Sequence, residues 1–346
     1  MQDRTIEYYG TLGPSCVNKN TLVEMFEKGM TGIRLNLSHK SLAGSSAWIE
    51  TYKKAAKEAG RKDADLLIDL IGPEIRIGDL KEILDLKEGE IVSLKTKEES
   101  IDTDTLNNLL MEERMIPVPV FVEEYLVPSQ RLLLDDGKLE LEVLDGVLCK
   151  VLRGGKLTSR KSLALPGCTI KNPPLTEQDH ENLKNAAAYG VTAVMQPFVR
   201  GKEDLIALKE ALESYGAGHI RIFAKIENME GVEKLEELMP YCDTIVIARG
   251  DLGNAMPLSH LPVVQNRISE ICKKNGKPFM VVTQMLNSMM DSAVPTRAEV
   301  NDIFHAVKDG ASSVMLTGET AAGKYPVEAM KVLVNTGEET LNYLCQ

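Results

Sequence analysis

Short apolar runs recur along the chain, and each is paired with a stretch whose apolar positions repeat with the period of a helix. The first pattern indicates buried strands, and the second indicates helices with one buried face. The eight apolar runs are 6–12, 32–37, 65–71, 191–196, 220–225, 244–248, 279–283 and 313–316. The helical stretches are 20–28, 47–58, 177–189, 203–215, 231–239, 262–275, 297–308 and 327–343. Strands that alternate with helices pair in parallel through right-handed crossovers, so eight such units predict an α/β fold, the (β/α)8 TIM barrel.

One interval interrupts this alternation between the third and fourth predicted strands. It contains short strand-like runs at 91–94, 116–120, 131–134, 139–143 and 148–151, with turns at 135–137 and 154–155. The pattern predicts a β-barrel-like, all-β domain at 77–165, inserted after strand 3 of a barrel formed by 1–76 and 166–346. Loops that follow barrel strands lie at the catalytic face, so we expect this domain to act as a lid.

Composition narrows the class of protein. A length of 346 residues suits a barrel with an insertion, and a net charge of -11 without a basic stripe argues against a nucleic-acid partner. That charge still allows an anionic substrate, because a few cations can be concentrated in a cleft. The six cysteines form no CxxC pair, and neither a signal peptide nor a membrane-spanning run is evident. We therefore expect a cytoplasmic protein with reduced thiols and no membrane partner.

Candidate chemistry lies where predicted strands end, which is the catalytic end of a barrel. Lys225 and Glu227 stand two positions apart after the fifth strand, so both side chains point to the same face. The lysine can bind a phosphoryl oxygen while the carboxylate holds Mg²⁺, although a rim salt bridge is the structural alternative. After the sixth strand, Gly250 allows close approach of a substrate and Asp251 can be the second metal carboxylate. A helix cap is the alternative for Asp251.

Further polar residues follow other strands. Thr283 ends the seventh strand, where its hydroxyl can donate a proton or bind a carboxylate; capping a helix is the alternative. Arg34, Asn36 and Ser38 alternate along the second strand and so share one face, and Asp69 lies at the end of the third strand. Polar groups that face a barrel mouth are costly unless they bind something. Together with the lysine and carboxylates above, they predict a Mg²⁺-dependent site for a small phosphorylated acid, because phosphoryl transfer depends on positioning and charge neutralisation.

These residues belong to a series of ordered motifs that covers nearly the whole chain. The motifs are TLGPS (11–15), RLNLSH (34–39), GPEIR (72–76), LLDDG (133–137), SRK (159–161), LPG (165–167), AKIEN (224–228), ARGDLG (248–253), TQML (283–286), PTRAE (295–299) and LTGETAAGKYP (316–326). In this order they make the chain resemble the pyruvate kinases.

The resemblance implies a function: transfer of a phosphoryl group from phosphoenolpyruvate to ADP, giving pyruvate and ATP in glycolysis. It implies that Glu227 and Asp251 bind Mg²⁺ or Mn²⁺. Lys225 would stabilise the moving phosphoryl group, Arg34 would contact the phosphate, and Thr283 would take part in protonating the enolate. The substrate carboxylate would be held by Gly250, Asp251 and Thr283. The other implied sites are a K⁺ site of Asn36, Ser38, Asp69 and the Leu70 carbonyl, and a nucleotide site of Asn36, His39, Arg76 and Lys161.

The chain also departs from the usual family pattern. Most members carry a C-terminal domain with a sugar-phosphate effector site and tetramer contacts, whereas this chain ends soon after the eighth helical stretch. We therefore expect a short form without that domain, without that regulation, and monomeric or homodimeric. Leu70, Ile71, Ala164 and Ala255 replace residues that are usual in the family. These replacements leave K⁺ dependence, nucleotide preference and the identity of the substrate open.

The sequence alone leaves two alternatives to phosphoryl transfer open. A barrel that stabilises a pyruvate enolate could act as a metal-dependent lyase or decarboxylase on a 2-oxo acid, which the replaced residues favour and the retained Arg76 disfavours. A non-catalytic paralogue would bind ligands without turnover. The retained lysine and metal carboxylates argue against a non-catalytic paralogue.

Overall fold

The computed structural model describes residues 5–38, 40–96, 114–168 and 170–346. Eight parallel strands close into a barrel in which the neighbours around the ring follow the order of the chain. The barrel strands are Glu7–Thr11, Gly32–Asn36, Asp65–Asp69, Ala193–Gln196, Arg221–Ile226, Thr244–Ala248, Phe279–Val282 and Ser313–Met315. This closed parallel barrel confirms the predicted fold class.

Helices follow the barrel strands at nearly the predicted positions. The α-helices are Lys19–Glu27, Ser46–Glu58, Glu177–Ala186, Lys202–Ser214, Met229–Glu233, Leu235–Leu238, Arg249–Asn254, Leu261–Lys274, Arg297–Lys308, Gly318–Ala321 and Pro326–Leu344. The 3₁₀ helices are Ala43–Ser45, Val120–Tyr125, Met239–Tyr241, Leu258–His260 and Asn287–Met290. Among the helices that the structure describes, none combines the length and the apolar character needed to cross a bilayer.

The stretch 231–239 was expected to form one helix and is instead divided into two short ones. The first, Met229–Glu233, begins two residues early because the Asn228 side chain accepts a hydrogen bond from the backbone of Gly231. Lys234 then leaves the helical region, with φ -96° and ψ 13°, before Leu235–Leu238 forms. The prediction of a single helix here was wrong.

The inside of the barrel is filled by side chains and forms a packed core. Its residues come from alternate positions of the strands and include Tyr9, Leu67, Met195, Phe223, Val246, Met280 and Met315, all nearly inaccessible to solvent. A filled interior leaves the mouth at the carboxyl ends of the strands as the place where a ligand can bind.

Residues 74–172, together with 254–258, form a second compact unit with its own apolar core. It contains a six-stranded and a two-stranded sheet. The strands are Leu84–Leu86, Ile91–Lys95, Met115–Pro117, Arg131–Leu134, Leu139–Asp145, Leu148–Arg153, Gly155–Leu157 and Leu163–Ala164. The unit's action as a lid stays a prediction.

Two local predictions in this unit were wrong. The expected strand 116–120 ends at Pro117, and the helix Val120–Tyr125 follows Pro119. Since proline has no backbone N–H, neither proline can donate to a neighbouring strand. Gly155, expected in a turn, begins a strand that pairs with Leu84–Leu86. A side chain at Gly154 would lie 2.2 Å from the Leu86 carbonyl oxygen, so this glycine permits the close approach of two backbones.

Candidate active site

A buried carboxylate, Asp69, joins two cations at the mouth of the barrel. Its Oδ2 accepts hydrogen bonds from Arg34 Nε at 2.8 Å and Arg34 Nη2 at 2.6 Å. The same oxygen lies 3.2 Å from Lys225 Nζ. The three side chains come from the second, third and fifth barrel strands, and Asp69 is only 2% exposed. The barrel therefore brings together residues that the sequence placed at separate strand ends.

Glu227 completes a group of four charges, which we call the charge cluster: Arg34, Asp69, Lys225 and Glu227. Lys225 Nζ lies 2.8 Å from Glu227 Oε1, and the backbone N–H of Phe198 donates to Glu227 Oε2 at 2.8 Å. The salt bridge that was the alternative interpretation of Lys225 and Glu227 does form. It is not an exposed rim contact, because the Glu227 side chain is 1% exposed and that of Lys225 is 13% exposed.

The charge cluster shifts the pKa values of Asp69 and Lys225. Burial raises the pKa of Asp69, but the neighbouring Lys225 and Arg34 lower it by more, so the pKa lies below the usual value of a carboxyl group. Burial lowers the pKa of Lys225, but Asp69 and Glu227 raise it by more, so the pKa lies above the usual value of an amine. Asp69 and Lys225 are therefore charged at neutral pH, and each stabilises the charged form of the other.

One buried oxygen of the charge cluster, Asp69 Oδ1, differs from the others in its hydrogen bonding. Asp69 Oδ1 is buried without a hydrogen bond among the described residues. Asn36 pairs with Asp69 across the second and third strands, and its Oδ1 accepts from the Ser38 backbone N–H at 3.1 Å. Leu70, which follows, is buried and donates its N–H to the Met195 carbonyl. An orphaned carboxylate oxygen beside a side-chain amide is a donor set that suits a cation.

The carboxylates of this mouth also suit a divalent ion. Within the described ranges, no group of three His, Cys, Asp or Glu side chains gathers as in an all-protein metal cage. Mg²⁺ does not require such a cage, because it binds through one or two carboxylates and fills the rest of its coordination shell with water and substrate oxygens. Glu227 keeps free acceptor capacity on both oxygens, each of which has one partner. Asp251 lies in the first turn of the helix Arg249–Asn254 and so is not its cap.

Thr283 lies beside Gly250, across the sixth and seventh strand ends. A Cβ added at Gly250 would be 3.2 Å from Thr283 Cγ2 and 3.8 Å from its Oγ1. Thr283 does not cap a helix, since the next helical turn begins at Asn287. Its φ is 77°, and that of Gln284 is 55°. A β-branched residue at positive φ is strained, and such strain concentrates at functional sites.

The strain at Thr283 predicts that glycine is more stable than alanine at this position. Thr283→Gly and Thr283→Ala both remove the hydroxyl, but only glycine accepts a φ of 77° without cost. We expect Thr283→Gly to unfold with a free energy about 1 kcal/mol higher than Thr283→Ala. Urea denaturation of the two variants measures the difference, and equal midpoints with equal slopes would contradict the strain.

A buried carboxylate outside the mouth fixes the loop that follows Asp69. Asp179 forms a capping box with Thr176, and is fully buried. Its Oδ1 also accepts from the backbone N–H of Ile71 at 2.8 Å, and its Oδ2 from that of Gly72 at 3.0 Å. One side chain thus begins a helix and holds the end of the third strand.

Asp179→Ala is therefore expected to destabilise the barrel by more than a lost cap. Leaving several buried donors without an acceptor costs about 3 kcal/mol, whereas Thr176→Ala, which loses only the cap, costs about 1 kcal/mol. Urea unfolding compares the two variants. Amide hydrogen exchange at Ile71 and Gly72 supplies a local control, since it should accelerate only in Asp179→Ala. Equal losses of stability would contradict the double role.

The residues predicted for the nucleotide lie in different parts of the chain. Arg76 and Lys161 belong to the second unit. Arg76 Nη2 lies 2.8 Å from Glu74 Oε2, and Lys161 Nζ lies 2.7 Å from Asp135 Oδ1. His39 lies outside the described residues. A nucleotide-binding role for Arg76, Lys161, Asn36 and His39 stays a prediction.

Comparison with known proteins agrees with the motifs and the barrel. A family model described as the pyruvate kinase barrel domain matches residues 3–330. The chain belongs to the pyruvate kinase family.

Three pyruvate kinases illustrate how similar the relatives of this chain are. The pyruvate kinase of Geobacillus stearothermophilus is 37% identical over 93% of this chain and 54% of that protein. That of Staphylococcus saprophyticus is 36% identical over 94% of this chain and 55% of that protein. That of Thermotoga maritima is 36% identical over 97% of this chain and 71% of that protein. The chain thus spans about half the length of the first two relatives.

Membership of the pyruvate kinase family confirms the resemblance that the ordered motifs indicated. Sequence reasoning nevertheless missed two residues that hold the site, Arg249 and Asp179. Arg249 belongs to the ARGDLG motif, but its sequence position gives no indication of the direction in which its side chain points. The role of Asp179 was missed because its contact with a loop about a hundred positions earlier leaves no local signal.

Proposed function

We propose that this chain transfers the phosphoryl group of phosphoenolpyruvate to ADP and protonates the resulting enolate to pyruvate. The charge cluster carries the proposal: two partly buried cations and two buried carboxylates meet at a barrel mouth, and one carboxylate oxygen has no hydrogen-bond partner among the residues that the structure describes. Structural ion pairs would be expected to satisfy their own acceptors. An arrangement that leaves one open fits a site that is completed by ligands.

Each residue of the cluster takes a role that follows from its charge and fixation. Lys225 and Arg34 present cationic groups to phosphoryl oxygens, and because Asp69 holds both, they require little reorganisation when charge moves. Glu227 and Asp251 would hold Mg²⁺ or Mn²⁺, which when bound neutralises phosphate charge. Asn36, Ser38, Asp69 and the Leu70 carbonyl would hold K⁺.

Protonation and substrate binding fall to the sixth and seventh strand ends. The Thr283 hydroxyl passes its proton to the methylene carbon of the enolate, forming the C–H bond of the pyruvate methyl group, and regains a proton from water. The backbone at Gly250 and Asp251, with Thr283, binds the substrate carboxylate. Arg76, Lys161, Asn36 and His39 contact the nucleotide, and the inserted domain closes as a lid that excludes water.

The wider setting follows from the same proposal. A phosphotransferase of glycolysis would act in the cytoplasm, with phosphoenolpyruvate and ADP as its small-molecule partners. The net charge of -11 fits neither a nucleic-acid nor an anionic-membrane partner. A homodimer is compatible with this function.

A coupled assay tests the function directly. Purified protein is supplied with phosphoenolpyruvate, Mg²⁺ and a panel of nucleoside diphosphates, with and without K⁺, and pyruvate is measured. We expect pyruvate formation that depends on both the diphosphate and the divalent ion. Folded protein without turnover on any diphosphate would overturn the proposal. Oxaloacetate decarboxylation in the absence of kinase activity would favour the lyase.

A further inference from the structure

The conformation of Thr283 has a cause outside its own sequence neighbourhood. Thr283 and Gln284 both have positive φ, 77° and 55°, directly after the seventh barrel strand. Neither is a glycine or an asparagine, the residues that adopt this region most readily. Two consecutive strained residues persist only where surrounding contacts hold them.

Arg249 supplies such contacts from the neighbouring strand end. Its Nη2 and Nε donate to the backbone carbonyl of Thr283 at 2.7 Å and 3.1 Å, and Nη2 also lies 2.9 Å from Met285 Sδ. Its Nη1 donates to both carboxylate oxygens of Asp302 at 2.8 Å and 2.6 Å. The Arg249 side chain is 11% exposed, and its guanidinium is bound on one side by the Thr283 carbonyl and on the other by Asp302.

Arg249 binds groups of the protein itself, whereas Arg34 is proposed to contact the substrate phosphate. Its nitrogens bind the carbonyl of Thr283 and the carboxylate of Asp302, which lies on the helix Arg297–Lys308. A guanidinium held in this way is rigid, because its planar donors match both acceptors at once. It fixes where the Thr283 backbone, and so its hydroxyl, lies relative to Gly250.

We infer that Arg249, held by Asp302, is a positioning residue that keeps Thr283 in the strained conformation from which its hydroxyl delivers a proton to the substrate. This inference rests on the proposed function, because it concerns the protonation step of that reaction. It assigns Arg249 no contact with substrate.

A double-mutant cycle tests whether Arg249 acts through Thr283. Arg249→Gln is expected to lower kcat about tenfold to a hundredfold, as small misplacements of reacting groups do, and to leave the KM for ADP unchanged. If Arg249 acts through Thr283, the double variant Arg249→Gln with Thr283→Ala should be no slower than Thr283→Ala alone. Losses in kcat that multiply would overturn the inference. Deuterium incorporation from solvent into the methyl group of pyruvate should show the same pattern.

Arg221→Gln is the matched control. Arg221 forms an ion pair with Asp65 at 2.6 Å, at the opposite end of the barrel strands. Its removal should leave kcat and deuterium incorporation unchanged. If Arg221→Gln lowers both as strongly as Arg249→Gln, the effect is general loosening of the barrel and the positioning role is wrong.

Chemical rescue gives a second measurement. A cavity of about 430 Å³, lined by residues that include Arg249, Gln284 and Asp302, offers room for a small cation. Millimolar guanidinium should restore part of the kcat of Arg249→Ala, while urea at the same concentration should not. Absence of rescue in a variant that is folded and binds substrate would contradict the inference.

A crystal structure of Arg249→Gln separates this inference from the proposed function. Residue 283 is expected to leave the region of positive φ when its carbonyl is released. If φ stays near the wild-type value, the positioning role is wrong, whether or not the protein forms pyruvate. Asp302→Asn, a milder change, serves in the same experiment if Arg249→Gln does not fold. Wild-type protein that forms no pyruvate would overturn the function and leave this structural result to decide the role of Arg249.

Discussion

Lys225→Met is expected to lower kcat about a thousandfold, the largest effect on activity of any single change in the charge cluster. Lys225 is fixed by two carboxylates, with Nζ 3.2 Å from Asp69 Oδ2 and 2.8 Å from Glu227 Oε1. Its ammonium group therefore meets charge that develops in the transition state without prior reorganisation. Interactions that strengthen only in the transition state raise kcat and leave substrate binding nearly unchanged.

Binding measurements complete this prediction. Removing one cation leaves Asp69 and Glu227 with Arg34 alone, so the affinity for Mg²⁺ or Mn²⁺ should stay the same or increase. Titration calorimetry with Mn²⁺ and with phosphoenolpyruvate, beside steady-state kinetics, tests both parts. Lys277→Met is the control, because Lys277 donates to the Cys242 carbonyl at 2.7 Å, before the sixth strand begins. A Lys225→Met variant that loses binding but keeps its kcat would show that the assigned role is wrong.

Asp69→Ala is expected to have the largest effect on stability. It removes the shared partner of Arg34 and Lys225 and leaves two partly buried cations with a single carboxylate. Breaking a buried ion pair in this way costs about 3–5 kcal/mol of the unfolding free energy. Urea denaturation at neutral pH measures the loss, and Asp69→Asn, which keeps the size of the side chain, should lose less.

The control for Asp69 is an exposed ion pair of the same barrel. Lys19 Nζ and Glu58 Oε2 are 2.7 Å apart, but their side chains are 45% and 51% exposed. Glu58→Ala should change the unfolding free energy by about 0–1 kcal/mol, because water screens such pairs. If Asp69→Ala costs no more than Glu58→Ala, the charge cluster does not hold the three strand ends together.

Much of the fold could be predicted because its signals are local. Alternation between strand and helix predicts a barrel wherever each strand is short and apolar, and all eight barrel strands are present. The same period of two placed Arg34, Asn36 and Ser38 on one face. In the structure these residues are less buried than Ile33, Leu35 and Leu37, which alternate with them.

The details of the site could not be predicted because they depend on barrel closure. Asp69 gave no sign that it would lie between Arg34 and Lys225, since three separate strands must pair before these side chains meet. Threonine usually avoids positive φ, so nothing in the sequence marked Thr283 as strained. The orientation of the Arg249 side chain could not be predicted either, because an arginine after a strand can point to a ligand as well as to a backbone carbonyl.

The contact of Asp179 with Ile71 and Gly72 also bears on how the chain tolerates its insertion. Residues 74–172 leave the barrel and return to it between these partners, so the two hydrogen bonds close a long loop of chain. The entropy of closing a loop grows only with the logarithm of its length, and a doubling costs about 0.6 kcal/mol. The length of the insert therefore has little effect on the stability of the barrel, provided that the Asp179 carboxylate is present. An evolving barrel could exchange one insert for another at this position without rebuilding its catalytic end.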